Sequence, residues 1–240
     1  MEITPDTTVG EIVRENYLAA EIFRKNAIDF CCNGHITIYE VCKTKNINST
    51  DLIKQLVEAC TSSETPELDF QSWPMNLLAD YIQHKHHKYV EQEIPVLKTY
   101  LSKICDVHGS THPELLEVNT IFNQAADELT MHMKKEELIL FPYIKRLSEA
   151  KGERTSLSTP PFGSVENPIN MMKHEHNDEG NYFRKISELT NNYMPPANTC
   201  NTYKVTFNTL KEFEKDLHKH IHLENNILFP KAIACEKELC

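Results

Sequence analysis

The sequence predicts an all-α protein, with a small N-terminal helical domain followed by an up-down four-helix bundle. Three observations carry this. Only six of 240 residues are glycine, while helix-forming residues abound. Four long stretches place apolar residues at alternating spacings of three and four, the inward stripe of a packed helix. Two segments also repeat: His132-Met-Lys-Lys-Glu136 leads to Phe141-Pro142, and His220-Ile-His-Leu-Glu224 leads to Phe229-Pro230. Every element of the second copy lies 88 residues after its counterpart.

Residues 1–60 read as the small domain. Thr7-Thr8-Val9-Gly10-Glu11 offers a helix N-cap, with a first helix running to about Asn16 and a second over Leu18–Lys25. Ile28 to His35 breaks the pattern and carries Cys31 and Cys32. Thr37-Ile38-Tyr39-Glu40 has capping-box spacing and starts a third helix; a fourth spans Asp51–Cys60. Residues 61–74, polar and with two prolines, form the linker, where Phe70 and Trp73 can dock.

Residues 75–240 supply the bundle. Its first helix runs from near Pro74 to about Cys105, with His87, Val90, Ile94, Leu97 and Leu101 inward. Pro95 is expected to kink it or end it early. The second, Pro113–Leu147, carries Phe122, Ala125, Leu129, His132, Glu136, Ile139 and Tyr143 on its stripe. The third, Asn167–Asn192, carries Ile169, Met172, His176, Glu179, Phe183 and Ile186. The fourth, Cys200–Ala234, carries Leu210, Phe213, Leu217, His220, Glu224 and Ile227. Ser148–Glu166 is a long surface crossover, and Met194-Pro195-Pro196-Ala197-Asn198 forces a turn. The result is two antiparallel hairpins related by an approximate two-fold.

Composition sets limits. Hydrophobic residues are 40% and charged residues 25%, as in an ordinary globular protein. The net charge of −10 argues against nucleic acid and anionic membrane as partners. No apolar run approaches the roughly 20 residues of a membrane span, and the N-terminus lacks a signal-peptide pattern, so a cytoplasmic location is expected. The eight cysteines include no CxxC pair, which gives no sign of a zinc ribbon or thioredoxin motif; most are expected to be free thiols.

The polar residues on the stripes point to chemistry. His and Glu four apart share one helix face, and burying them among Leu, Ile and Phe is costly unless cations compensate. A lone inward His is most often a hydrogen-bonded core residue, but a repeated pair with matched partners is harder to explain that way. His87 precedes His132 by 45 residues and His176 precedes His220 by 44, which selects them over His84, His86 and His174. The candidate ligands are His87, His132, Glu136, His176, His220 and Glu224. This mixed donor set suits iron, manganese or zinc. Glu136 and Glu224 are placed to bridge two metals about 3.5–4 Å apart. His84, His86, His218 and His222 are expected to be exposed or to support the ligands from outside. Glu128 and Glu175 are candidates to relay protons or line an entry path, and Glu179 to hold a ligand imidazole. Phe141-Pro142 and Phe229-Pro230 are expected to be structural, with each Phe closing the apolar floor below the metals. Cys31 and Cys32, at a break between helices, are candidates for redox or transfer chemistry. They are expected to react faster than Cys105 or Cys200. A chain starting near Phe70 is expected to fold and bind iron by itself.

Taken together, these motifs resemble the iron-sulfur cluster repair di-iron proteins (the Repair of Iron Centres family, of the YtfE and ScdA type). Residues 20–34, which carry the paired cysteines Cys31 and Cys32, resemble the family's ScdA-like N-terminal domain. His87 through Pro95, His132 through Pro142, Lys173-His-Glu-His176 and His220 through Pro230 resemble its hemerythrin-like domain. The resemblance implies a non-haem di-iron centre, oxo- or hydroxo-bridged, held by four His and two bridging Glu at the six positions above. It implies repair of iron-sulfur clusters damaged by oxidants or nitric oxide, by supplying iron or handling nitric oxide. The implied partners are damaged or apo iron-sulfur proteins and nitric oxide or oxygen, for a monomer or homodimer. Asn33-Gly34 stands where related sequences often have Gly-Gly. The competing readings are a hemerythrin-like oxygen or nitric oxide binder, and a di-iron oxidoreductase acting on nitric oxide or peroxide.

Overall fold

A computed structural model describes residues 2–61, 68–197 and 199–239. Residues 62–67 of the expected linker, Asn198 of the expected turn and Cys240 lie outside the described residues. Four short helices come first: α1 (Val9–Glu15), α2 (Ala19–Lys25), α3 (Ile38–Lys45) and α4 (Ser49–Thr61). Thr8 with Glu11 and Thr37 with Glu40 both close capping boxes, satisfying donors that the first turn leaves free. The two caps lie side by side, because Val9 N–H donates to Ile36 O and Ile38 N–H to Thr7 O.

The bundle follows as α5 (Met75–Tyr81), α6 (Lys88–His108), α7 (Glu114–Lys135), α8 (Phe141–Glu153), α9 (Glu166–Leu189), α10 (Asn201–Leu223) and α11 (Phe229–Leu239). Three π turns join these into longer rods: Ile82–His87 between α5 and α6, Glu136–Leu140 between α7 and α8, and Glu224–Leu228 between α10 and α11. The bundle thus has four rods, as the sequence predicts. α6 packs against α7 and α10, and α7 packs against α9.

The π turns correct one expectation. Ile139 was expected on the inward stripe, yet it is 51% exposed, and Leu140 is buried in its place. Each π turn inserts one residue, so the inward face advances by one position. The Phe-Pro pairs end these turns. Phe141 N–H donates to Glu136 O, and Phe229 N–H to Glu224 O, five residues back. The next residue is proline, which has no N–H to place, so the ladder resumes its normal spacing without an orphaned donor. Pro95 neither ends nor shortens its helix, since α6 continues to His108. It lies on the exposed face, where water can take the carbonyl it leaves unpaired.

Two apolar clusters fill the bundle. The lower one joins α5, α8, α11 and the start of α9, around Leu78, Phe141, Ile144, Ile169 and Phe229. Phe70 and Trp73 pack against it, with rings 4.9 Å apart, so this end of the linker is docked. The upper cluster holds Val90, Leu97, Phe122, Phe183 and Phe213 of the bundle together with Val13, Phe23, Phe30 and Leu56 of α1–α4 and their loops. Residues 1–60 therefore share one apolar core with the upper bundle. A chain starting near Phe70 would expose part of that core. The expected metal ligands lie in the polar layer between the two clusters.

Candidate metal centre

Six buried side chains meet in that layer: His87, His132, Glu136, His176, His220 and Glu224, each 1% exposed or less. Three of the four rods contribute at or beside a π turn. His87 closes the first, while Glu136 and Glu224 open the second and third. His132 and His220 stand one turn earlier on α7 and α10, and His176 lies mid-way along the regular helix α9.

The side chains form two groups that share both carboxylates: His87, Glu136, His220 and Glu224, and His132, Glu136, His176 and Glu224. Within each, the donor atoms lie within 4.8 Å of one another. Glu136 Oε2 is 3.4 Å from Nε2 of both His87 and His132. Glu224 places Oε1 2.9 Å from His220 Nε2 and Oε2 3.1 Å from His176 Nε2. The imidazoles face each other in pairs, with Nε2 atoms 3.2 Å apart for His87 and His220, and 3.1 Å apart for His132 and His176.

Outer residues fix which nitrogen points inward. Glu137 accepts from His87 Nδ1 at 2.9 Å, Glu175 from His132 Nδ1 at 2.8 Å, and Asn225 Oδ1 from His176 Nδ1 at 3.0 Å. With Nδ1 donating outward, each Nε2 turns its lone pair to the centre. His220 Nδ1 has no hydrogen-bond partner, and its ring is stacked against His86, 5.9 Å away. Paired lone pairs at these distances repel, and Glu136 Oε1 and Oε2 and Glu224 Oε2 are buried without hydrogen-bond partners. A cation in each group would satisfy all of these atoms, so the donor set fits two metal ions.

Without metal, charge neutralisation falls to protons. Burial opposes charge on His87, but hydrogen bonds and charges from Glu136 and Glu224 raise its pKa to about 10. Burial likewise opposes His132, yet Glu136, Glu175 and Glu224 raise it to about 10. Burial pushes Glu224 up, but the His220, His176 and His87 imidazoles hold it well below the carboxylate range. Burial and Glu224 push Glu136 up, and His132 and His87 more than offset this. Burial lowers His220.

The structure places the other candidates as follows. Glu175, rather than Glu179, holds the imidazole of the candidate ligand His132, and its second oxygen accepts from Lys135. Glu179 is buried with Oε2 unpartnered, and burial with the nearby Glu128, Asp178 and Glu175 raises its pKa to about 8. Glu128 is exposed and accepts from Tyr182 Oη. A surface pocket of about 400 Å³ is lined by Asp127, Glu128, Met131, His132, Lys135, Glu175, Asp178 and Glu179. It reaches a candidate ligand from an acidic rim. His84 is exposed, as expected. His86 and His222 are buried: His86 Nδ1 pairs with Asp216 at 3.0 Å, and His222 lies against Tyr17 and Phe30 of the N-terminal unit. Phe141 stacks on His87 and Phe229 on His176, closing the floor as expected.

The cysteine pair sits at the junction of the two parts. Cys31 Sγ and Cys32 Sγ are 3.8 Å apart, and Cys32 Sγ donates to His176 O at 3.4 Å. For Cys31 and Cys200 the environments run against the expected order. A hydrogen bond with Cys32, burial and the charge of Asp29 push the Cys31 thiol well up. Cys200 is exposed, and His108 Nε2 at 3.2 Å lowers its pKa to about 7. The supporting residues Glu137 and Asn225 escaped sequence reasoning, although the 88-residue repeat relates them to each other. Cys31, Cys32, Cys42, Cys105, Cys200 and Cys235 are free thiols. Among the described residues, no helix is long and apolar enough to cross a membrane.

Two family models together match most of the chain. The hemerythrin HHE cation binding domain matches residues 78–232, and the ScdA_N domain of unknown function (DUF542) matches residues 5–60. The chain is 33% identical over 229 residues to the iron-sulfur cluster repair protein ScdA of Staphylococcus haemolyticus, covering 95% of this chain and 99% of that one. It is 33% identical over 235 residues to the iron-sulfur cluster repair protein YtfE of Pectobacterium atrosepticum, covering 96% and 98%. A probable iron-sulfur cluster repair protein of Haemophilus influenzae is 33% identical over 216 residues, covering 90% and 91%.

Proposed function

The chain belongs to the iron-sulfur cluster repair family, and on that premise we propose that it is a di-iron protein that restores iron-sulfur clusters damaged by oxidative or nitrosative stress. His87 and His220 would hold one iron and His132 and His176 the other, with Glu136 and Glu224 available to both. The observation that carries this reading is the sharing of both buried carboxylates between two facing histidine pairs. Bound there, iron supplies exchangeable coordination positions and one-electron chemistry.

The chain's own residues do the rest. Glu137, Glu175 and Asn225 keep three imidazoles turned with Nε2 inward. The two apolar clusters exclude water above and below the layer. The acidic pocket at His132 draws cations and gives iron a route to the surface, with Glu128, Glu175 and Glu179 along it. Residues 1–60 act as a thiol-bearing unit, 61–74 as the connection, and 75–240 as the iron-holding bundle. Damaged or apo iron-sulfur proteins are the partners, and the setting is the cytoplasm.

The test is transfer of isotope-labelled iron from the loaded protein to an apo iron-sulfur protein, run beside nitric oxide consumption under the same anaerobic conditions. Labelled iron appearing in a rebuilt cluster supports donation; nitric oxide loss without transfer supports nitric oxide handling. A loaded protein that does neither contradicts the proposal.

A further inference from the structure

The repeated segments His132–Pro142 and His220–Pro230 are related position by position, and one difference between them is informative. Glu137 and Asn225 occupy equivalent places, each directly after a bridging glutamate in its π turn. Each accepts from a ligand histidine, Glu137 from His87 and Asn225 from His176. Glu137 turns its second oxygen to Lys134 at the surface. Asn225 turns its amide nitrogen to the carbonyl of Cys31, at 3.1 Å. A carbonyl can only accept, so this contact fixes the amide with Oδ1 toward His176. A carboxylate at this place could not donate and would set oxygen against oxygen.

The thiol turn is tied to the same histidine a second time, because Cys32 Sγ donates to His176 O at 3.4 Å. The turn is otherwise well held. Asp29 Oδ1 accepts from the backbone N–H of Cys31 at 3.1 Å and of Cys32 at 2.9 Å. Asn226 donates to Phe30 O at 3.3 Å. A Cβ on Gly34 would come within 2.7 Å of Asn226 Oδ1, and one on Gly10 within 2.9 Å, so both glycines allow the turn to seat on the third π turn. Cys32 remains half-buried.

We propose that Asn225 is a positioning residue that links His176 to the Cys31–Cys32 turn, so that the metal centre and the thiol pair respond to each other. This rests on the reading that His176 holds a metal ion. A metal on Nε2 fixes the imidazole with its Nδ1–H on Asn225, and Asn225 in turn steadies the Cys31 carbonyl. Coupling of this kind acts in both directions.

The experiment uses the full chain with cobalt(II) as the anaerobic probe and iodoacetamide alkylation of Cys32 followed by mass spectrometry. Cobalt should slow the alkylation of Cys32 about fivefold in the wild-type protein, the scale of one hydrogen bond. Asn225→Asp keeps the acceptor for His176 and removes the donor to Cys31. With cobalt at saturation in both chains, it should lose the rate difference. Its cobalt ligand-field bands should also stop responding to alkylation of Cys32. Retention of the wild-type rate difference in Asn225→Asp overturns the proposal, because protection then runs by another route. Full cobalt uptake by the wild-type chain with no rate difference also overturns it, whatever the variant does. A wild-type chain that takes up no cobalt overturns the metal reading as well.

Discussion

Metal uptake should release protons, and their number follows from the charge balance of the empty layer. Glu136 and Glu224 are held below the usual carboxylate range and are ionised at pH 7. His87 and His132, both raised to about 10, are charged at that pH. A metal ligand must be a neutral imidazole, so filling both positions displaces a proton from each of these two histidines. Since pH 7 lies three units below their pKa, each displacement costs roughly 4 kcal/mol at that pH. Overall affinity for the pair of ions should therefore rise by about two orders of magnitude per pH unit between 7 and 9. The assay is anaerobic titration of metal-free protein with iron(II) in weak buffer with a pH indicator. At least two protons per chain are expected, and water deprotonated on the metals can only add to this count. Release of fewer than one at pH 7 would refute the reasoning. The same shifts set the stability of the metal-free chain. These folded-state pKa values lie above the unfolded 6.5, so their contribution is complete below pH 6.5 and is lost as pH rises through about 10. Metal-free protein should melt at a lower temperature at pH 10 than at pH 7.

Glu175→Gln weakens the acceptor behind His132 and should lower metal affinity about 10–100-fold, measured by competition with a chelator. Glu179 has a folded pKa near 8, above its unfolded value, so its contribution falls as pH rises from the unfolded value through 8. Glu179→Gln should make the metal-free chain more stable by about 1–3 kcal/mol at pH 9 and change it less at pH 5, as read by urea unfolding. Among the described cysteines, Cys200 should alkylate fastest at pH 7, and His108→Ala should slow it severalfold; equal rates for Cys200 and Cys31 would contradict their assigned environments.

The sequence makes the rods and the six candidate ligands legible because packing leaves a periodic trace. Inward positions such as Leu97, Phe122, Phe183 and Leu210 recur at helical spacing, and the histidines and glutamates interrupt that spacing at matched places. The π turns leave no such trace. Adding one residue per turn changes no composition, so regular helical spacing puts Ile139 inside where the structure buries Leu140. Glu137 and Asn225 were hidden for the same reason, since ordinary helical spacing turns them away from the ligands they support. The burial of His86 and His222 depends on Asp216, Tyr17 and Phe30, which are distant in sequence. The shared core of residues 1–60 and the upper bundle was likewise out of reach. Amphipathic faces on short helices show that something is covered, but not by what.

The most direct test of the account is the iron content of the full chain after anaerobic reconstitution, measured with Mössbauer spectra on the wild-type protein and on Glu136→Leu and Glu224→Leu. Two iron ions per wild-type chain in one coupled centre are expected. Either substitution should lose more metal than His87→Ala, because a bridging carboxylate serves both ions. One iron or none in the wild-type chain, or an unchanged coupled centre in either glutamate variant, would contradict the shared-carboxylate site.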